Sequence, residues 1–133
     1  MITYTETYAD YLGNKRTEEF HFHYNKAELM EMEMEVEGGF SARVQRIINA
    51  NSHSQLYKLI KQFILGSYGV KSEDGRRFMK SPEIRRSFEE SPAYELIMMR
   101  LTTGPNAADE AAKFINGITP EDMPKPMAVQ TAN

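Results

Sequence analysis

Residues 2–24, ITYTETYADYLGNKRTEEFHFHY, decide the fold class. Threonine, tyrosine and phenylalanine crowd both arms, and Gly13-Asn14 stands between them with the glycine where a type II′ hairpin turn wants it. Pairing about that turn sets Thr5 opposite Phe22, Thr7 opposite Phe20 and Ala9 opposite Glu18. Phe20, Phe22 and Tyr24 then share the face that seeks a core, while Tyr4, Glu6, Tyr8, His21 and His23 share the other. A lone hairpin is marginal in water, so helices must cover its apolar face.

Downstream the period changes. Asn25, followed three residues later by Glu28, is a capping box ahead of KAELMEMEMEVE (26–37). The alternation of Met30, Met32, Met34 and Val36 with glutamates is also a strand pattern, but the cap and the helix-forming composition favour a helix closed by Gly38-Gly39. Phe40, Val44, Ile47 and Ile48 recur at helical spacing. Ser52 with Gln55 opens a second capped stripe, Leu56, Leu59, Ile60, Phe63 and Ile64, which Gly66 and Gly69 are expected to stop. Ser81-Pro82 and Ser91-Pro92 are start signals, leading to Ile84 and Phe88 and then to Tyr94, Ile97, Met98 and Leu101. Asn106 is expected to cap a final alanine-rich helix with Ala108, Ala111, Ala112 and Ile115 on one side, closed by Gly117. The expected architecture is α+β: an N-terminal β-hairpin packed against about five α-helices in a single domain over residues 1–117, with a flexible proline-containing tail over 118–133.

Composition bounds the function. The 133 residues suit one core, and 41% hydrophobic with 26% charged residues is ordinary for a globular chain. The apolar run at Phe63–Leu65 is far short of the ~20 residues of a membrane helix, and MITYTETYAD does not read as a secretory signal. There is no cysteine, which excludes disulfides, thiolate metal sites and cysteine nucleophiles, and fits a reducing compartment. Charge is uneven: residues 1–37 carry nine acids and three bases, residues 38–100 eleven bases and six acids. Such a layout can pair internally or steer one copy onto the next.

His21 and His23 point the same way on a strand, and His53 or Glu6 are the remaining candidates to complete a metal set. The ordinary reading is a cross-strand pair between Glu6 and His21, so no metal or other cofactor is assigned. No nucleophile–base order, phosphate loop or metalloprotease signature appears, and the chain reads as non-enzymatic. Lys71, Arg76, Arg77, Lys80, Arg85 and Arg86 around an exposed loop are a candidate nucleic-acid patch, with nearby acids opposing it. Nine methionines, among them Met30, Met32, Met34, Met98 and Met99, suit either an adaptable binding face or core filling.

The segment YGVKSEDGRRF (68–78), then MKSPEIRRSFEESPAYELIMMRL (79–101), KFINGITP (113–120) and KAELMEMEMEVEGGF (26–40) together resemble the tail assembly chaperones of long-tailed phages of Gram-positive bacteria. The resemblance spans about residues 15–120, departing from the family's more acidic pattern near Leu96–Leu101. It implies a protein of the host cytoplasm that coats the tape measure protein, helps recruit the tail tube protein, and leaves before the virion matures. It also implies a longer frameshifted product in many members, and homo-oligomers are compatible with such a role. Partner contacts are expected at Met30, Met34, Asp74, Gly75, Arg76, Arg77, Phe78, Tyr94 and Met98, although Asp74-Gly75 is equally a turn dipeptide. A tail component retained in the virion is the alternative, and a small nucleic-acid-binding module a weaker one.

Overall fold

The computed structural model describes residues 1–120. Strands β1 (Ile2–Ala9) and β2 (Lys15–Phe22) form the expected antiparallel hairpin. Its register differs from the one expected: Thr5 faces Glu19, Thr7 faces Thr17 and Ala9 faces Lys15. The cause is the turn. The Asp10 carboxylate accepts from the backbone N–H groups of Leu12 and Asn14, both at 2.9 Å, and Gly13 at φ 87° donates to the Asp10 carbonyl. A five-residue loop over 10–14 therefore replaces the two-residue turn, by the local side-chain-to-backbone bonding that aspartate favours in turns. The slip is three residues, an odd number, so every β1 side chain changes face. Tyr4 and Tyr8 join Phe20 and Phe22 on the core side, and Thr3, Thr5 and Thr7 face out beside His21, Glu19 and Thr17.

The sheet is also wider than the hairpin. Strand β3 (Tyr68–Lys71) pairs antiparallel with β2 through His21–Gly69 and Phe22–Tyr68, and β4 (Phe78–Met79) pairs with β3. The order is β1-β2-β3-β4. Residues 68–78, expected as an exposed loop, are thus a second, shorter hairpin. Tertiary packing holds it: Tyr68 stacks on Phe88 at 4.2 Å between centroids, and its ring meets Phe22 at 5.7 Å.

Six helices follow the strand pattern among the described residues, where about five were expected: α1 (Lys26–Glu35), α2 (Phe40–Ala50), α3 (His53–Ser67), α4 (Pro82–Glu89), α5 (Pro92–Thr102) and α6 (Ala107–Gly117). Their starts are local events. Asn25, Ser52 and Ser81 each accept the N–H three residues on, and Pro82 and Pro92 open α4 and α5. Asn51 ends α2 in the left-handed conformation.

Gly66 and Gly69 are not stop signals. Gly66 lies inside α3, and a Cβ there would fall on the Tyr24 hydroxyl; Gly69 lies in β3, where a Cβ would stand 2.6 Å from the Phe78 ring. Both positions are close approaches of backbone to an aromatic ring. Ile118 is 1% exposed and its carbonyl accepts from Tyr24 N–H at 3.0 Å, so Ile118 and the buried Thr119 belong to the core rather than to a tail. The tail expected beyond residue 120 lies outside the described residues.

Gly66→Ala should lower unfolding free energy by about 1–3 kcal/mol, because Tyr24 is packed against Phe63 and cannot swing away. That loss outweighs the roughly 1 kcal/mol that alanine gains over glycine in a helix. Adding Tyr24→Phe should recover much of it in urea titrations. A Gly66→Ala protein as stable as the parent would refute the close-approach reading.

Candidate partner-binding groove

Helix α1 holds no buried residue. Its capping box is complete, with Asn25 Oδ1 accepting from Glu28 N–H at 2.8 Å and Glu28 Oε1 accepting from Asn25 N–H at 2.9 Å. Leu29, Met32 and Val36 rest half-buried against the core, while Met30 and Met34 stand 56% and 73% exposed one turn apart. Glu33, although exposed, has a role the sequence pattern hid. Its Oε1 accepts from Phe40 N–H at 2.8 Å and Ser41 N–H at 3.1 Å, placing a carboxylate on the N-terminus of α2. Gly39, at φ 94°, leaves room for that carboxylate, and the Gly38-Gly39 bend lets α1 fold back over α2.

An open groove of about 640 Å³ runs between α1, the end of α3 and the start of α4. Glu28, Glu31 and Glu35 line its α1 side, Lys80 and Arg85 the opposite side, and Tyr24, Met32 and Leu65 supply apolar surface between them. Lys80 ties one end shut. Its Nζ donates to Glu28 Oε2 and to the His23 carbonyl, each at 2.7 Å, and stands 4.6 Å over the Tyr24 ring. Burial holds the Lys80 pKa below its ordinary value, and the Glu28 carboxylate opposes that shift.

The loop residues expected to meet partners split into two kinds. Asp74 and Gly75 build the β3–β4 turn: Asp74 Oδ1 accepts from Ser72 Oγ at 2.7 Å and from Arg76 N–H at 3.1 Å, and Gly75 takes φ 75°. Those bonds, the Arg76 N–H first, hold the Asp74 pKa low. Arg76 and Arg77 are exposed beside the turn, and Phe78 packs over Gly69 and edge-on to His23. Tyr94 is half-buried, edge-on to Phe88 at 5.7 Å. Met98, expected at a partner contact, is 3% exposed and packs in the core, and α5 shows Leu96 and Met99 to solvent. The helical spacing of Tyr94, Ile97, Met98 and Leu101 already set Met98 apart from Met99.

The other candidates are dispersed. Glu6, expected opposite His21, faces inward and receives Arg100 Nη2 at 2.6 Å, leaving its Oε2 buried without a partner among the described residues. His21 Nδ1 meets Thr3 Oγ1 at 3.0 Å instead, and His53 lies at a separate apolar cavity between α3, α5 and α6. Among the described residues no three His, Asp or Glu side chains are grouped to hold a metal. The basic patch is broken up as well, since Lys80 is half-buried against Glu28 and Arg85 donates to the Leu65 carbonyl at 3.2 Å. No helix among the described residues is long and apolar enough to cross a membrane.

A sheet backed by helices, carrying an open groove with walls of opposite charge, has the build of a small α+β binding domain. The chain belongs to the phage tail assembly chaperone family, whose model matches residues 1–133. No curated protein and no solved structure matches it. The resemblance to phage tail assembly chaperones read from residues 26–40, 68–101 and 113–120 is therefore borne out at the level of the family.

His23 carries a pH prediction. Burial, then the N-terminal ammonium and Lys80, hold its pKa below the ordinary 6.5, and its Nδ1 is buried without a partner among the described residues. His21 is held low too, first by burial and then by Lys71. The unfolded chain binds these protons more readily, so stability should fall as pH drops below the ordinary imidazole value of 6.5. His23→Gln should flatten that slope in denaturant titrations at pH 7 and pH 5; an unchanged slope would exonerate this residue.

Proposed function

We propose that this chaperone binds the tape measure protein and promotes tail tube assembly, acting by transient contact in the host cytoplasm and leaving before the virion matures. The observation that carries this reading is the groove between α1, α3 and α4. Its apolar centre, Tyr24, Met32 and Leu65, is flanked by glutamates on one side and by Arg85 on the other. An amphipathic helix fits such a groove by seating its apolar stripe centrally and matching its charges to the rims. Exposed Met30 and Met34 extend the same helix with unbranched, polarisable side chains that adapt to successive segments of a long client.

Release is served by the same features. Rim charges steer encounter more than they slow departure, and α1 contributes modest contacts without a deep pocket of its own. Arg76 and Arg77 at the β3–β4 tip form a second contact, away from the groove residues, suited to an acidic surface such as one on the tail tube protein. No step in this role makes or breaks a covalent bond.

Co-expression of a helical tape measure segment with the intact chain should keep that segment in the soluble fraction. Glu31→Lys with Glu35→Lys should weaken capture about tenfold, equivalent to ~1.4 kcal/mol, and Arg85→Glu should weaken it on the opposite rim. Glu33 is left untouched because it caps α2. A segment that precipitates equally with and without the chaperone would end the proposal, and finding the protein at constant copy number in purified virions would end its departure step.

A further inference from the structure

The two edges of the sheet are unlike each other. Strand β4 is two residues long and runs straight into the anchored Lys80, whereas β1 is eight residues long and has no strand on its outer side. The direction of the β1 backbone groups follows from the pairing. His23 N–H donates to the Ser67 carbonyl, toward the β3 side, so the odd-numbered residues of β2 point their backbone groups at β3 and the even-numbered ones at β1. Even residues of β1 answer them, and the N–H and C=O groups of Thr3, Thr5, Thr7 and Ala9 point outward. None of these has a backbone partner among the described residues, and all four residues are exposed.

Long open edges in natural proteins usually carry lysine, proline or a bulge that blocks pairing. The strand ITYTETYA has none of these, and its single charge, Glu6, is turned inward onto Arg100 at 2.6 Å. We propose that β1 is a self-association edge, pairing antiparallel with β1 of a second copy about a two-fold axis at Thr5. The register is selected by the sequence. With Thr5 opposite Thr5, the outward-pointing groups bond as Thr3–Thr7, Thr5–Thr5 and Thr7–Thr3, and the outer face becomes a ladder of threonine pairs. On the inner face Tyr4 meets Glu6 and Ile2 meets Tyr8. Sliding the pair one way centres it on Glu6 and sets two carboxylates face to face, which is unfavourable, and sliding it the other way centres it on Tyr4 and leaves only the two Thr3–Thr5 pairs to bond within the strand. The strand is thus complementary to itself in a register that opposes no like charges. An acidic or basic foreign strand would find no charge on this edge to match. The result is a continuous sheet of both copies, with the α1 groove of each left open.

The chain contains no cysteine, so a single Thr5→Cys is a clean probe. The paired Cα atoms would lie about 5.5 Å apart, within the roughly 4.4–6.8 Å that a disulfide spans. Full-length Thr5→Cys should cross-link rapidly to a dimer under mild oxidation. Thr3→Cys and Thr7→Cys should each link poorly alone but efficiently when mixed. In sedimentation equilibrium the parent should dimerise, and Thr5→Lys, which sets two ammonium groups opposite each other, should raise the dissociation constant about tenfold or more. Circular dichroism would confirm that this exposed substitution leaves the fold intact. A monomer at every concentration, or a dimer indifferent to Thr5→Lys, overturns the proposal. So does a monomeric parent whose capture of tail tube protein is abolished by Thr5→Lys, since the edge would then serve a foreign strand.

Discussion

The ring of Phe22 is the point on which this fold turns. It is fully buried, and four other rings close on it: Tyr4 at 5.8 Å, Tyr68 at 5.7 Å, Phe88 at 5.7 Å and Phe114 at 5.4 Å between centroids. Each arrives from a different element, respectively β1, β3, α4 and α6. A two-stranded hairpin with one aromatic face is unstable by itself, and this cluster is what the rest of the chain supplies to cover it. Gly69 and the β3–β4 hairpin, Ile118 against Tyr24, and the placement of Tyr4 inward all follow from closing that core.

Binding surface is consequently pushed to the periphery. Helix α1 lies outside the aromatic centre, buries none of its ten residues fully, and keeps Met30, Met34 and most of its glutamates toward solvent. An element held by few apolar contacts is drawn from the low-stability end of a structure, where recognition elements are commonly found. The acid-first, base-later charge layout has a similar division. Glu6 with Arg100, Glu28 with Lys80 and Glu33 on the α2 N-terminus are internal ties, and Glu31, Glu35, Arg76 and Arg77 remain at the surface. Much of the apparent polarity of the chain is therefore architecture, and the remainder is available to partners.

Three capping residues were legible because a cap acts within three residues: Asn25, Ser52 and Ser81 each bond the N–H that their spacing indicates, whereas Asn106 makes no such bond and the carboxylate on the α2 N-terminus comes from Glu33, seven residues upstream. The family blocks were legible for a related reason, since a motif such as residues 68–78 keeps its order whatever the fold does with it. The hairpin register was not. Asp10 and Gly13-Asn14 are both good turn formers, and the choice between them depended on which face of β1 could meet Phe114 far downstream, as Tyr4 does at 6.1 Å. The groove was invisible for the same cause, because Tyr24, Met32, Leu65 and Arg85 are scattered along the chain.

By itself, then, the sequence determined the α+β class, the existence and starts of the helices, and membership of a chaperone family, all of which rest on short-range bonding or on linear order. Tertiary structure alone decided the strand register, the second hairpin, the burial of Ile118, the inward turn of Glu6 and the reach of Glu33 to the α2 N-terminus. Those outcomes depend on which distant surfaces exclude water together, and nearby residues carry no record of that contest.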